Sequence, residues 1–192
     1  MSALEIRRKN SLNLFREQAK YSNYSEFPVL KPEVDPQLCV SRNEVDQPFY
    51  LVCEKDTVLA ALSGRAKVRF LEGSVNYFTL EQGDYVYVPA GYAHRIECVE
   101  SGLHLRYKAR EPGREAAVFH CRSCQTELHR VAWDNAEQPA QAGYAAAVES
   151  FNAHIEHRTC TCGEVHPPVD AARFQWADIA RSLRPEGEVP TV

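Results

Sequence analysis

The stretch GDYVYVPAGYAHR, residues 83–95, constrains the fold of this 192-residue chain more than any other segment. Gly83 begins a turn into a short strand, whose alternate residues face opposite sides of a sheet. Pro89 and Gly91 then shape a tight turn. This turn is expected to aim His94 into the mouth of a barrel, at a place where a metal could bind.

The spacing from Gly83 to His94 resembles the second characteristic motif of cupins. Around it, between Gln37 and about Lys108, lie eight short runs rich in Val, Tyr, Phe and Leu, separated by glycines from Gly64 onward. Such even spacing is typical of an antiparallel barrel or sandwich. The predicted fold class is therefore mainly β: a cupin (double-stranded β-helix) barrel with an N-terminal helix and a small C-terminal metal-binding segment.

The chain divides into four expected parts: an N-terminal helix and linker over 1–36, the cupin barrel over 37–118, a four-cysteine metal-binding extension over 119–170, and a C-terminal tail over 171–192, which is expected to be loose from Arg184 onward. Residues 3–20 have apolar side chains among charges, which favours a short amphipathic helix, in one piece or two. Residues 26–36 contain three prolines and are expected to be an extended linker. Residues 143–156 are predicted to form a helix, because their apolar residues lie on one stripe: Ala145, Val148, Phe151 and Ile155.

Four of the seven cysteines lie in two short segments, CRSCQTELHR and RTCTCGEVHPP. The pairs Cys121-x-x-Cys124 and Cys160-x-Cys162 bring four thiolates from two loops, as a tetrahedral Zn or Fe site requires. A closed four-thiolate site is structural rather than catalytic. Three nearby histidines are either replacement ligands or hydrogen-bond donors near the site, or they have surface and packing roles: His120, His129 and His166.

The charge and hydropathy of the chain exclude several partners. The net charge is −4, and no basic run exceeds IRRK near the N-terminus, which argues against nucleic acid as the main partner. No apolar run is long enough to span a bilayer, and the first residues lack the apolar core of a signal peptide. A cytoplasmic location is therefore expected, where thiols stay reduced and clustered cysteines favour metal binding over disulfides.

Segments on both sides of the barrel motif resemble a known family. A small barrel followed by FHCRSCQTELHRV, ESFNAHIE and CTCGEVHPP is similar to bacterial 3-hydroxyanthranilate 3,4-dioxygenase, as are VLKPEV and GDYVYVPAGYAHR. The resemblance covers roughly residues 10–168. It implies a catalytic Fe(II) in the barrel, a rubredoxin-like iron in the extension, and oxidative opening of an aminophenol ring, with arginines pairing to the substrate carboxylate. By motif position, His94 would be the retained iron ligand.

The first cupin motif, which should supply two histidines and a glutamate, is absent. No histidine occurs before His94. The expected glutamate position holds Thr57, and the expected histidine positions hold Leu51 and Cys53. A two-His-one-carboxylate iron site needs three protein ligands, so the missing residues argue against a metal in the barrel.

Other residues could take new roles in the barrel. The candidate catalytic residues are His94, Arg106, Cys53 and His104, and further substitutes are Glu54, Asp56 and Cys98. Both Cys53 and Cys98 could equally be small core residues. The family's later glutamate falls at Arg106 or Lys108. Three arginines could bind an anionic aromatic acid through their planar guanidinium groups, or could simply be surface charges: Arg42, Arg95 and Arg106.

Two interpretations of function remain open. The first is a cupin of the 3-hydroxyanthranilate 3,4-dioxygenase family that acts on a small aromatic or amino-aromatic acid, with chemistry altered by the loss of the first-motif ligands. The alternative is a non-catalytic ligand-binding protein or partner subunit derived from that family. Either would carry Fe or Zn in the four-cysteine site, and a homodimer is expected because exposed barrel edges can pair.

Overall fold

The computed structural model describes residues 13–183, which form eleven strands and three α-helices. The helices are α1 (Leu14–Glu17), α2 (Ala140–Ala153) and α3 (Trp176–Ser182), with 3₁₀ turns at Gln18–Lys20, Ile155–Arg158 and Ala171–Arg173. The strands are β1 (Phe27–Pro28), β2 (Gln37–Asn43), β3 (Tyr50–Cys53), β4 (Thr57–Ala61), β5 (Arg65–Phe70), β6 (Tyr77–Glu81), β7 (Tyr85–Val88), β8 (His94–Glu100), β9 (Gly102–Lys108), β10 (Arg114–His120) and β11 (Glu127–Asp134). Each of the eight strand-like runs of the sequence contains one of the strands β2 to β9.

The strands form two antiparallel sheets with nested pairing. One sheet has the order β1-β2-β9-β4-β7 and the other β11-β10-β3-β8-β5-β6. Strand β3 pairs with β10, β4 with β9 and β5 with β8. Strands β6 and β7, which follow each other in the middle of this series, are each the last strand of one sheet. Such pairing, alternating between two facing sheets, defines a double-stranded β-helix of the jelly-roll type. The predicted mainly β cupin fold is confirmed.

The main hydrophobic core lies between the two sheets and continues under the C-terminal helices. Leu51, Leu59 and Val88 fill the barrel and are at most 1% exposed. An aromatic cluster extends this core to α2, where the Phe119 and Phe151 rings stack with centroids 3.9 Å apart. The strand β11, which lies beyond the predicted barrel boundary, pairs with β10 along its whole length. The C-terminal segment is therefore packed directly on the six-stranded sheet.

The helix predicted over residues 143–156 is present but is displaced toward the N-terminus. It begins at Ala140 and ends at Ala153, because His154 adopts an extended conformation with φ −123° and ψ 124°. Val148 and Phe151 are buried as predicted, whereas Ile155 is 50% exposed. The prediction that Ile155 continues the apolar stripe is wrong, since the chain has left the helix before this residue.

The N-terminal segment is more closely integrated with the barrel than a linker would be. Helix α1 and the 3₁₀ turn after it account for the described part of the helix predicted over residues 3–20, and residues 3–12 lie outside the described residues. The predicted linker over 26–36 contains β1, which pairs with β2. The tail from residue 184 onward also lies outside the described residues. In the described part of the chain, no helix is long and apolar enough to cross a membrane.

A helical glycine in α2 tests the close packing of this helix on the sheet. A Cβ atom on Gly143 would lie 2.2 Å from Cδ2 of Trp133, whose side chain is buried. We expect Gly143→Ala to lower the free energy of unfolding by about 1–3 kcal/mol through overpacking. Helix propensity alone would raise it by about 1 kcal/mol. Urea denaturation of the purified wild-type and Gly143→Ala proteins measures the change in the free energy of unfolding.

The matched control is Ala146→Gly at an exposed position of the same helix. It should lower the free energy of unfolding by about 1 kcal/mol through propensity alone. A stabilised Gly143→Ala protein would contradict the close contact between helix and sheet.

Candidate functional site

His94 is fully buried at the start of β8, where the predicted turn places it. Gly91 has φ 80°, which favours glycine, and its N–H donates to the carbonyl of Cys53 at 2.8 Å. This hydrogen bond ties the turn to the end of β3. The side chain of His94 is 0% exposed, and its backbone lies opposite Leu51 in the sheet. The sequence motif therefore delivers one imidazole into the barrel interior.

Both ring nitrogens of His94 are engaged by protein groups. Its Nδ1 lies 3.2 Å from the carbonyl oxygen of Tyr92. Because a carbonyl oxygen only accepts, the hydrogen of the neutral ring belongs on Nδ1, and Nε2 keeps its lone pair. Arg106 uses that lone pair, since its Nη1 donates to Nε2 of His94 at 2.9 Å. A guanidinium group thus occupies the position from which His94 would coordinate a metal.

Arg106 is itself part of a buried ionic network. Its Nε lies 2.7 Å from Oε1 of Glu26. The other carboxylate oxygen of Glu26 lies 2.8 Å from Nζ of Lys108, which also lies 2.8 Å from Oε1 of Glu115. The hydroxyl of Tyr144 donates to Oε2 of Glu26 at 2.8 Å. The positive charges of the two cations balance the negative charges of the two carboxylates, as buried charges require.

The shifted pKa values in this network keep Glu26, Arg106 and Lys108 ionised and His94 neutral. Burial would raise the pKa of Glu26, but Lys108 and Arg106 outweigh it and lower this pKa to about 2. Burial would likewise lower the pKa of each cation, but Glu26 raises that of Arg106, and Glu115 raises that of Lys108. Burial and the charge of Arg106 together lower the pKa of His94 to about 3.

Glu26 reaches the barrel because the backbone around it is fixed by hydrogen bonds. It has φ 42°, in the left-handed region that few residues other than glycine adopt. Its N–H donates to Oγ of Ser41 at 2.9 Å, and its carbonyl accepts from Nε2 of Gln141 on α2 at 2.8 Å. The predicted linker therefore supplies an anion to the barrel, a role that its proline-rich sequence did not indicate.

The inward-facing residues of β9 include two of the predicted candidates, His104 and Arg106. Its sequence GLHLRYK alternates polar and apolar residues, and in a half-buried strand the apolar side usually faces the core. Here Leu103 and Leu105 instead pack outward against the N-terminal segment. The polar side chains of His104, Arg106 and Lys108 are buried on the other face. The alternation of polar and apolar residues indicates a strand with two different faces, but it does not show which face lies inside the barrel.

The remaining predicted barrel residues do not complete a metal site. The hydroxyl of Thr57, at the expected glutamate position, donates to the carbonyl of Tyr107 at 2.8 Å. Burial raises the pKa of the Cys53 thiol, which disfavours the thiolate. Nδ1 of His104 lies 3.0 Å from the side-chain amide nitrogen of Asn43, and burial lowers the pKa of His104 to about 4.

The donor set of the barrel does not fit an iron held by two histidines and a carboxylate. Among residues 13–183, the group of His, Cys, Asp or Glu side chains close enough to hold an ion is the four-cysteine cluster. His94 already receives a hydrogen bond from Arg106, and Glu26 is saturated by two cations and a hydroxyl. A cation at this place would have to displace the guanidinium of Arg106.

The four predicted cysteine ligands come together as expected. Sγ of Cys121 lies 3.6 Å from Sγ of Cys162, and Sγ of Cys124 lies 3.4 Å from Sγ of Cys160. All four sulfur atoms lie within 4.8 Å of one another. Zn–S bonds of about 2.3 Å in a tetrahedron place the sulfurs about 3.8 Å apart. The cluster therefore fits a four-coordinate Zn or Fe ion.

Two similar backbone turns present these sulfurs. In the first, the N–H of Gln125 donates to the carbonyl of Cys121 at 3.0 Å, and Gln125 has φ 63°. In the second, the N–H of Gly163 donates to the carbonyl of Cys160 at 3.0 Å, and Gly163 has φ 93°. Each turn folds back after its cysteine pair, so the C-x-C spacing serves as well as C-x-x-C.

The thiols of the sulfur cluster have unequal pKa values. Hydrogen bonding to Thr126 lowers the pKa of Cys124 to about 6. A backbone hydrogen bond from Glu164 lowers the pKa of Cys162, but the neighbouring sulfurs of Cys160 and Cys121 outweigh it and raise this pKa to about 12. Four adjacent thiolates need a positive ion to hold them, which couples metal binding to proton release.

The three flanking histidines bond to other protein groups. His120 Nδ1 lies 2.8 Å from the carbonyl of Gln125, and His166 Nδ1 lies 2.6 Å from the carbonyl of Pro167. His129 Nε2 lies 3.0 Å from Oγ of Ser150. These contacts fix the loops around the sulfur cluster without placing an imidazole in it.

The chain is similar to several known proteins over part of its length. No family model matches the sequence. Two curated relatives, both named 3-hydroxyanthranilate 3,4-dioxygenase, come from Bacillus cereus and Bacillus thuringiensis. Each is 31% identical over 99 residues, which is 50% of this chain and 54% of the relative. The chain therefore matches about half the length of these relatives.

Several solved structures are similar at low identity. One is a hydroquinone 1,2-dioxygenase in complex with Cd²⁺ and 4-hydroxybenzonitrile, 20% identical with a TM-score of 0.47, over 56% of this chain and 77% of that one. Another is a cupin-2 domain protein from Shewanella frigidimarina, 16% identical with a TM-score of 0.45, over 53% of this chain and 97% of that one. The fold assignment itself follows from the nested strand pairing.

The fold and the sulfur cluster define the class of protein: a cupin with four clustered cysteines beside the barrel. Within that class, the curated relatives confirm the resemblance to the 3-hydroxyanthranilate 3,4-dioxygenases over the matched half of the chain. In the barrel of this chain, Arg106 contacts His94, the histidine of the cupin motif.

Removing one sulfur tests the metal centre. We expect wild-type protein to contain one Zn or Fe ion per chain and Cys121→Ser to lose it, because three thiolates no longer close the tetrahedron. Elemental analysis of both purified proteins measures the content. Cys98→Ser, at a half-buried cysteine outside the cluster, is the control and should keep its ion. A second ion that persists in Cys121→Ser would contradict the account of the barrel.

The neutral histidines of the barrel predict a loss of stability in mild acid. The pKa of His94 is about 3 and that of His104 about 4 in the folded protein, against 6.5 for an ordinary histidine. Their stabilising contributions are complete above pH 6.5 and are lost as the pH falls toward these values. Below pH 4.5 the depressed pKa of Glu26 adds to the loss.

We expect the free energy of unfolding to fall by a few kcal/mol between pH 6.5 and 4.5. In His94→Gln this fall should be about half as large, because an amide does not titrate. Both proteins contain the sulfur cluster. Acid release of its metal therefore affects both equally and cancels when their free energies of unfolding are compared. Urea denaturation at several pH values provides the data. Parallel curves for the two proteins would refute the assignment of a neutral, buried His94.

Proposed function

We propose that this protein is a dioxygenase-related cupin that acts on a small aromatic or amino-aromatic acid by chemistry other than ring opening at a barrel iron. The relationship to 3-hydroxyanthranilate 3,4-dioxygenases supports the class of ligand. The observation that carries the proposal is the 2.9 Å hydrogen bond from Arg106 to Nε2 of His94. It takes the only lone pair that the retained histidine could offer to a metal.

The contacts of Arg106 also bear on how an acid would bind. Its Nε pairs with Glu26 and its Nη1 donates to His94, so two of its nitrogens are already engaged. A ligand carboxylate entering the barrel would have to compete with Glu26 for this guanidinium. Removing one partner of a buried ion pair costs about 3–5 kcal/mol. The barrel interior is therefore better suited to supporting the fold than to binding the ligand by itself.

A non-catalytic ligand-binding protein or partner subunit is the second candidate. The saturated interior of the barrel also favours this candidate, because its polar side chains already contact other groups of the same chain: His94, Arg106, Glu26 and Lys108. The two candidates differ in turnover. A binding protein should bind an aromatic acid saturably and return it unchanged, whereas an enzyme should convert it.

The metal, the location and the assembly complete the proposal. The four cysteines would hold Fe or Zn, which supplies a cross-link between two loops rather than a reactive centre. Their thiols require a reducing compartment, which supports a cytoplasmic location. A homodimer is supported by exposed aromatic side chains on β6 and β7, at the edges of the two sheets: Tyr77, Phe78, Tyr85 and Tyr87.

An oxygenase assay tests the loss of the parent reaction. We expect protein supplied with Fe(II), oxygen and 3-hydroxyanthranilate to form no ring-opened product above background, because the barrel lacks ligands to hold the iron. The Bacillus cereus relative, assayed in parallel by absorbance, is the positive control. Product formation at a comparable rate, abolished in His94→Ala, would place the parent chemistry in the barrel and overturn the proposal.

A further inference from the structure

A cleft of about 550 Å³ lies between the six-stranded sheet and the four-cysteine cluster. This volume is within the range of about 300–1,000 Å³ that small-molecule sites occupy. The cleft is outside the barrel interior, and its lining includes charged and aromatic side chains from several strands and the first cysteine loop. Those that matter here are Tyr50, Arg69, Phe70, Arg95, His120 and Arg122.

The charges in this cleft are unequal. Arg69 makes a bidentate contact with Glu97, with N–O distances of 2.7 and 2.9 Å. Arg95 contacts the same carboxylate, with its Nη2 2.5 Å from Oε1 of Glu97. Two guanidinium groups thus share one carboxylate, which leaves a positive charge that Glu97 does not neutralise.

Arg122, on the first cysteine loop, adds a further positive charge. Its Nε lies 3.3 Å from Nε2 of His166, and it makes no ion pair with a carboxylate among residues 13–183. The other carboxylate of the cleft, Asp46, accepts the backbone N–H of Cys98 at 2.8 Å. Three guanidinium groups therefore face two carboxylates, and the excess favours an anion.

Two buried polar atoms of the lining have no hydrogen-bond partner within the described residues: Nε of Arg95 and Nε2 of His120. They differ in character. The Arg95 nitrogen is a donor, which suits a carboxylate. His120 gives its Nδ1 hydrogen to the carbonyl of Gln125 at 2.8 Å, and in the neutral imidazole Nε2 is then the acceptor. The cleft therefore lacks both an anionic acceptor and a hydrogen donor such as a hydroxyl or an amine.

Aromatic side chains complete the recognition surface. The guanidinium carbon of Arg95 lies over the ring of Tyr50, 5.2 Å from its centroid, and the ring of His120 is nearly perpendicular to that of Tyr50 with centroids 5.4 Å apart. Phe70 also lines the cleft. A flat aromatic ligand would find ring faces and edges between its two polar contacts.

We propose that this cleft, rather than the barrel interior, binds a hydroxy- or amino-substituted aromatic carboxylate. Arg95 and Arg122 pair with the carboxylate, and Nε2 of His120 accepts a hydrogen from the ring hydroxyl or amine. This inference rests on the proposed function, for which it names the site. The adjacent cysteine cluster holds the loop that carries Arg122 and thereby positions one wall of the cleft.

Calorimetric titration of the metal-loaded protein with 3-hydroxyanthranilate and with benzoate tests the proposal. We expect Arg95→Gln and Arg122→Gln each to weaken binding of 3-hydroxyanthranilate by about tenfold or more, the usual effect of losing a charge-assisted hydrogen bond. Benzoate, which lacks the ring hydroxyl and amine, should bind more weakly than 3-hydroxyanthranilate to the wild type. Arg130→Gln, at an exposed arginine of β11 outside the cleft, should bind like the wild type.

The barrel variant His94→Gln separates the two ideas. If 3-hydroxyanthranilate binds equally well to wild type and both cleft variants but loses affinity in His94→Gln, the ligand occupies the barrel. The cleft proposal then fails while the proposed function stands. If the wild type binds neither probe at millimolar concentration, the proposed function fails and this inference fails with it. Metal content equal to wild type in each variant verifies that the fold is intact.

Discussion

The ion pair between Glu26 and Arg106 is the interaction on which the interior of this barrel depends. Neither group could be buried alone, because an isolated charge loses far more solvation than packing restores. Together they fix the direction of the Arg106 side chain, which then meets His94 at 2.9 Å. The position that a metal would hold between the sheets is thus filled by a cation that belongs to the chain. Lys108, two residues further along β9, is held in a similar way between Glu26 and Glu115 of β10.

The segment around Glu26 also joins the two halves of the molecule. Its backbone is held by Ser41 on one side and by Gln141 of α2 on the other. Nε1 of Trp176 on α3 donates to the carbonyl of Tyr24 at 2.8 Å. A short piece of chain between barrel and helices therefore carries hydrogen bonds to both, and its unusual backbone angle at Glu26 is maintained by these partners.

The sequence predicted those features that depend on local patterns. The turn before His94, the strands of the barrel and the two cysteine pairs follow from spacing and residue type within short windows. Glu26 could not be found in this way, because prolines around it indicate extended chain and its partners are distant in sequence. His104 and Arg106 of β9 were named as barrel candidates, but the sequence pattern alone does not show which face of this strand is inside. Its orientation depends on the N-terminal segment that covers the outer leucines, and this covering is a tertiary contact.

The four-cysteine cluster closes a loop of chain that contains β11 and α2. Helix α2 in turn supplies Gln141 and Tyr144, both of which bond to Glu26. Anything that binds the folded cluster and not the unfolded chain stabilises that loop by mass action. If the cluster holds an ion, as proposed, binding of that ion and order inside the barrel are thermodynamically linked. Withdrawal of the ion would then loosen the arrangement of charges between the sheets as well as the sulfur loops themselves.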